Sequence, residues 1–315
     1  MGTKELAEAI EKIPLNTVLL YEKKCVAFHS NQNEIPKNFH HFKKRLFHNK
    51  IIFIKNTWDL FSLNHIVLKE DFKRFVKNKK RIPIPKNNFI TNEKQIFIEE
   101  NAEVSFSFLN AESGPIYIGK GAKIMEGSFI RGPVSIGENT IIKMGAKIYG
   151  GTTLGPYCKI GGEVNNSIIM GFSNKGHEGF LGNSVVGHWC NFGAGTEISN
   201  MKNNYSQIKL WNYNKNDFEK TGLQFCGLMM GDYSKCGINT MFNTGTVVGV
   251  NTNIYGSGYM PKFIPNFSFG GVEGWNDFKI EKAFETAKIM MERIDRKFTS
   301  MEKKILTYLF KNNKK

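Results

Sequence analysis

Eight aliphatic residues, Ile118, Ile124, Ile130, Ile136, Ile142, Ile148, Leu154 and Ile160, recur at every sixth position without a miss. Four residues after each rung the side chain is small or short-branched: Ala122, Ser128, Val134, Thr140, Ala146, Thr152 and Cys158. Glycine directly follows the rungs at Ile118, Ile136, Leu154 and Ile160. A period of six fits neither the 3.6 of a helix nor the two of a simple strand. It fits a coil with three flat sides, each a short strand sending one aliphatic side chain into a narrow interior, at about eighteen residues per turn. Small residues suit the corners, and glycine supplies backbone angles that a β-carbon forbids. No single turn buries its apolar side alone, so several must stack.

Glycine placement divides the rest. After Gly2 there is none until Gly114, and none after Gly274, so 30 of the 31 glycines fall in one central block. This predicts three segments: a small α/β region over residues 1–84, the coil over 85–274, and an amphipathic helical tail over 275–315. In the first segment, residues 4–13 and 57–76 read as helices and residues 16–28 and 51–55 as strands. Pro83, Pro85 and the polar residues 86–88 read as a linker. The coil is expected to open near Gln95 and to lose its register over residues 161–179. The beat resumes at Phe180, Val186, Phe192 and Ile198, breaks over a polar insertion at 199–225, and returns from Met230 to Met260. Loops thrown out from a solenoid often carry its binding site. In the tail, Ile280, Ala283, Phe284, Ala287, Met291, Ile294, Phe298, Met301, Ile305 and Leu309 form one apolar face. Such a face would cap or flank the coil, or meet another subunit.

The formal charge is +15 with pI near 9.4, which invites a nucleic-acid reading. The basic residues are 37 lysines and six arginines, scattered over every segment rather than gathered with aromatics. A solvated basic surface is expected, with no nucleic acid bound. The five cysteines form no C-x-x-C pair, which suits a reducing cytoplasm and no metal site. Charges interrupt every apolar stretch at the start, and no run approaches a membrane span.

The repeat resembles that of the hexapeptide acyltransferases, whose fold is a left-handed parallel β-helix and which generally work as homotrimers with sites between neighbouring coils. The expected fold class is therefore mainly β, a left-handed β-helix with an N-terminal α/β remnant and a C-terminal helix. A more specific likeness lies between residues 173 and 200. Lys175, Gly176, His177, Glu178, Gly179, Phe180, Leu181 and Gly182, then Asn191, Phe192, Gly193, Ala194, Gly195 and Thr196, then Asn200, follow the G-H-x-x-Y-x-G, N-x-G-A-G-T and Asn spacing of one bifunctional family. It is the glucosamine-1-phosphate acetyltransferase/N-acetylglucosamine-1-phosphate uridyltransferase family. Further runs, at residues 57–61, 162–164, 173–175 and 203–205, resemble a variant bacterial branch of the related sugar nucleotidyltransferases.

That resemblance implies acetyl-coenzyme A as co-substrate and an amino-sugar phosphate as acceptor, in nucleotide-sugar or cell-envelope precursor synthesis. His177 would be the general base, since an amine attacking a thioester must shed a proton and imidazole accepts one near neutrality. Asn191 would hold the sugar, Asn200 would contact the acetyl or sugar-amine region, and Ala194, Gly195 and Thr196 would line the coenzyme groove; Lys175 is a candidate to attract phosphate from its charge and nearness alone. The ordinary alternatives are that both asparagines serve as corner residues and that Lys175 is solvated. Phe180 and Met201 stand where the family has tyrosines, which puts the acceptor in doubt. The nucleotide-binding half of that family needs a glycine-rich loop, and residues 1–84 offer none. Nucleotidyl transfer, which alone would call for magnesium, is then not expected of this chain by itself; a subunit that borrows its loop from a partner and a non-catalytic scaffold are the alternatives.

Overall fold

The computed structural model describes residues 3–31 and 35–312. Contacts group the chain into two compact units that divide after Lys55.

In the first unit, helix α1 (Lys4–Glu11) is capped by the Thr3 hydroxyl, which accepts Leu6 N–H at 3.1 Å. Strands β1 (Thr17–Tyr21) and β2 (Lys24–His29) pair as an antiparallel hairpin, turned by Glu22 and Lys23, both at positive φ. The expected strand over residues 51–55 does not form. Ile51 is buried with Leu6, Ile13 and Leu19 but joins no ladder. The third strand is instead β3 (Lys43–Leu46), parallel to β1, with all four side chains exposed. A charged sheet edge suits solvent, and it carries no apolar alternation to announce it.

The second unit begins with helix α2 (Asp59–Phe75) and winds from Phe89 into a left-handed parallel β-helix. Its first face runs over six strands from Phe89–Thr91 to Phe180–Gly182, and its second over nine from Ile96–Ile98 to Phe263–Ile264. The third face runs from Glu103–Val104 to Ser268–Gly271 and is closed by the antiparallel strand Gly274–Asp277. Along the ladder, partners such as Ile141 and Lys159 stack eighteen residues apart, and none of the eight rungs is more than 2% exposed. The corner residues also stitch the stack. Thr140 Oγ1 donates to Gly155 O at 2.6 Å and accepts Cys158 N–H at 3.0 Å, and Ser173 Oγ serves Gly187 O and Cys190 N–H the same way. These two buried hydroxyls are tolerated because each is satisfied by backbone of the next coil.

Where the beat fails, the coil persists with shorter turns. Lys159 pairs with Asn174, fifteen residues on, and Asn174 with Asn191, seventeen on. The interior column continues through Val164, Ile169, Lys175 and Leu181. Phe180, expected as a rung, is therefore turned away from the interior, and Leu181 fills the place.

The second face is covered. The insertion forms a hairpin, β4 (Lys209–Asn212) and β5 (Asp217–Lys220), whose Trp211 stacks on Phe263 at 4.2 Å. Ile208, Leu210, Met229, Val247 and Phe61 of α2 share one apolar cluster. Further along α2, Asn64 is 6% exposed and its Nδ2 donates to Gly151 O at 2.7 Å and to Thr153 Oγ1 at 3.0 Å. The tail is two helices rather than one. Helix α3 (Ile280–Glu292) ends before Asp295 at φ 56, and α4 (Ser300–Lys311) restarts on a capping box of Thr299 and Glu302. Ala283, Ala287, Met291 and Leu306 pack on Trp189, Tyr233 and Phe267 at one corner of the coil.

Asn64→Leu should lower unfolding free energy by about 1–3 kcal/mol, because Gly151 O loses its side-chain donor inside an apolar contact. Urea unfolding checks this, and an unchanged midpoint would remove Asn64 as the tie between α2 and the coil.

Candidate functional site

Of the residues singled out by sequence, His177 and residues 194–196 lie on consecutive coils where the third face hands over to the first. Strand Asn174–Lys175 ends at a turn that exposes His177 and Glu178 before strand Phe180–Gly182 begins. One coil further, residues 193–196 make the corresponding corner. Gly195 N–H donates to Glu178 O at 3.1 Å, so the two corners lie one on the other. Two glycines make this stacking feasible. Gly195 sits at φ 68, and at Gly179, with φ 121, a β-carbon would run into Thr196 O.

Among the described residues the His177 imidazole has no hydrogen-bond partner, and its ring is free to meet a ligand. Ala194 and Gly195 belong to the same corner, but Ala194 O accepts Asn239 N–H at 2.7 Å and is taken up by the stack. Thr196 is fully buried, its hydroxyl donating to Gly193 O at 2.7 Å. It is a corner residue of the Thr140 kind, and its side chain faces the interior.

Phe180 and Asn200 meet at the far end of the first-face strand. A β-carbon on Gly182 would lie 2.5 Å from Phe180 Cζ and 2.7 Å from Asn200 Nδ2, so only glycine leaves room for both. Asn200 Nδ2 donates to Asn183 Oδ1 at 2.8 Å. That end is about 10 Å from the His177 turn at 3.3 Å per strand residue. Asn191 is exposed on the third face, in line with Asn174 and Lys235.

Lys175 departs most from expectation. Expected as a surface cation near a phosphate, it occupies the interior column opposite Ile160 and is 2% exposed. Its Nζ donates to His177 O at 2.9 Å and to Gly161 O at 3.3 Å. Ile169, Lys175 and Leu181 lie six apart, so the beat drawn through Leu181 instead of Phe180 would have found it. Sequence reading also missed Glu197, whose Oε2 accepts Phe180 N–H at 2.8 Å. Burial pushes the Lys175 ammonium down to about 8, against the opposing pull of Glu197 and Glu178. No group of three or more His, Cys, Asp or Glu that could hold a metal ion occurs among the described residues.

The depressed Lys175 value makes a signed prediction. Below about 8 the ammonium is charged in folded and unfolded chains alike and its burial subtracts from stability. Between about 8 and 10.5 the folded chain sheds the proton first, so stability recovers as pH rises. Across that window wild type should gain on Lys175→Met by on the order of 3 kcal/mol. Unfolding curves of the two proteins at several pH values measure the difference, and a flat difference would contradict a buried ammonium.

Residues 1–80 match the family model described as sugar nucleotidyl transferase, and residues 115–150 and 133–165 match bacterial transferase hexapeptide repeats. A bifunctional sugar-1-phosphate nucleotidylyltransferase/acetyltransferase of Sulfurisphaera tokodaii is 29% identical over 54% of this chain and 40% of its own length. The bifunctional protein GlmU of Clostridium kluyveri is 35% identical over 38% of this chain and 22% of its own. An uncharacterised acetyltransferase, YaiX, of Escherichia coli is 28% identical over 50% of this chain and 68% of its own length. The chain thus spans less than half the length of the two bifunctional relatives. It joins a segment that matches sugar nucleotidyl transferases to repeats that match the hexapeptides of bacterial transferases.

Proposed function

We propose that this chain transfers an acetyl group from acetyl-coenzyme A to the amine of an amino-sugar phosphate, as a homotrimer, with His177 as general base. The observation that carries the reading is the exposed, unpartnered imidazole on a turn stacked against the Ala194 corner of a hexapeptide coil. Relatives named as acetyltransferases support it. In the reaction the amine nitrogen attacks the thioester carbonyl, His177 takes the proton released from that nitrogen, and the carbon–sulfur bond breaks. The imidazolium then returns the proton to the departing thiolate, so the base is regenerated. The Ala194 N–H would stabilise the developing oxyanion, those of Gly193 and Gly195 being bound to Cys236 O and Glu178 O within the stack. Asn191, Asn200 and Phe180 would bound the sugar. Phenylalanine, having no hydroxyl, suits an acceptor carrying an apolar or deoxygenated position there.

A second reading rests on the match of residues 1–80 to sugar nucleotidyl transferases. It has the chain transfer a nucleotidyl group, with magnesium, in concert with a partner that supplies a phosphate loop. Pyrophosphate release from a nucleoside triphosphate and a sugar phosphate would favour it.

Purified protein given acetyl-coenzyme A and glucosamine 1-phosphate, or a panel of amino-sugar phosphates, should release free coenzyme A thiol. His177→Ala should lower kcat by about 10²–10⁴-fold, the usual worth of a positioned base. Thiol release that survives the substitution would take the proton-accepting role from His177.

A further inference from the structure

We infer that Lys175 is a positioning residue for the proposed base: from inside the coil its ammonium holds the carbonyl of His177 and thereby sets the turn that presents the imidazole. This rests on the reading of His177 as the base. The interior column that contains Lys175 is otherwise apolar, with Ile124, Ile142 and Ile160 before it and Phe192, Cys236 and Ile254 after it. A hydrocarbon would fill the place without the desolvation that a buried ammonium suffers. What the ammonium does there is bridge two coils. It donates to Gly161 O, at the preceding corner, and to His177 O.

The rest of the turn is held elsewhere. Gly195 N–H binds Glu178 O and Glu163 N–H binds Gly179 O at 3.2 Å, so both anchors lie after His177. Lys175 Nζ is the hydrogen-bond partner of His177 itself. Gly162 makes the approach possible, since a β-carbon there would lie 2.9 Å from His177 O. With no partner on the ring, the direction of the imidazole follows from its backbone, and its backbone follows from Lys175. Two carboxylates, Glu178 and Glu197, lie close enough to act on the ammonium and offset part of the cost of burying it.

Three variants test this by steady-state kinetics and thermal unfolding on the full chain: Lys175→Met, Lys175→Gln and His177→Ala. Lys175→Met should fold, leave both KM values within about threefold and lower kcat by about 10²-fold, the penalty of a slightly misplaced catalytic group. Lys175→Gln, which keeps an N–H donor without the charge, should recover part of that loss. Lys175→Met combined with His177→Ala should be no slower than His177→Ala alone, because the lysine acts through the histidine. Amide exchange at residues 176–179 should quicken in Lys175→Met, and in Lys175→Gln if the methionine variant is insoluble. A Lys175→Met enzyme with wild-type kcat, or exchange unchanged at that turn, overturns the proposal while an inactive His177→Ala keeps the base in place. An active His177→Ala would instead overturn the underlying reading.

Discussion

Everything in the larger unit depends on the hydrogen bonds that each short strand makes to the strand one coil away, with an aliphatic side chain sealed beneath every pair. Neither part stands alone: a two-residue strand such as Ile141–Ile142 has no stability of its own, and Ile142 is shielded because Ile124 and Ile160 lie to either side of it. Stability therefore accumulates along the stack. The corner hydroxyls of Thr140 and Ser173 extend the principle, since each satisfies backbone groups of the following coil.

A stack of this kind constrains how a site can be built. Interior positions are spoken for, flat faces offer evenly spaced side chains, and only the corners have freedom to lengthen. The His177 turn keeps the regular length: four residues separate strands Asn174–Lys175 and Phe180–Gly182, as four separate Asn191–Phe192 and Glu197–Ile198 at the corner on which it is seated. The hairpin β4–β5 is a lengthened corner, and with α2 it covers the second face instead of opening it. The functional candidates lie on the first and third faces.

The ladder from Ile118 to Ile160 made the coil legible because every side there has six residues. Between Val164 and Val186 some sides have five, and a fixed count drifts by one, which puts Phe180 on the beat in place of the buried Leu181. The same drift hid Lys175, because a lysine is expected at a surface unless its register says otherwise. His177, Asn191 and Asn200 were legible through motif spacing, but the spacing carried no information on which of them meet. Phe180 and Asn200 share Gly182, whereas Asn191 lies on another face. In the small unit, β3 was illegible because its side chains are all solvated, and Ile51 misled because burial without a ladder looks the same in sequence as burial within one.

The claim that the coil's corners form an acyl-transfer site is tested most directly by a crystal structure of the protein with coenzyme A and an amino-sugar phosphate. The account predicts the thiol sulfur and the sugar amine at the corner shared by His177 and Ala194, with the amine within about 3.2 Å of the imidazole. Coenzyme A seated elsewhere on the coil, with the imidazole facing empty solvent, would contradict it.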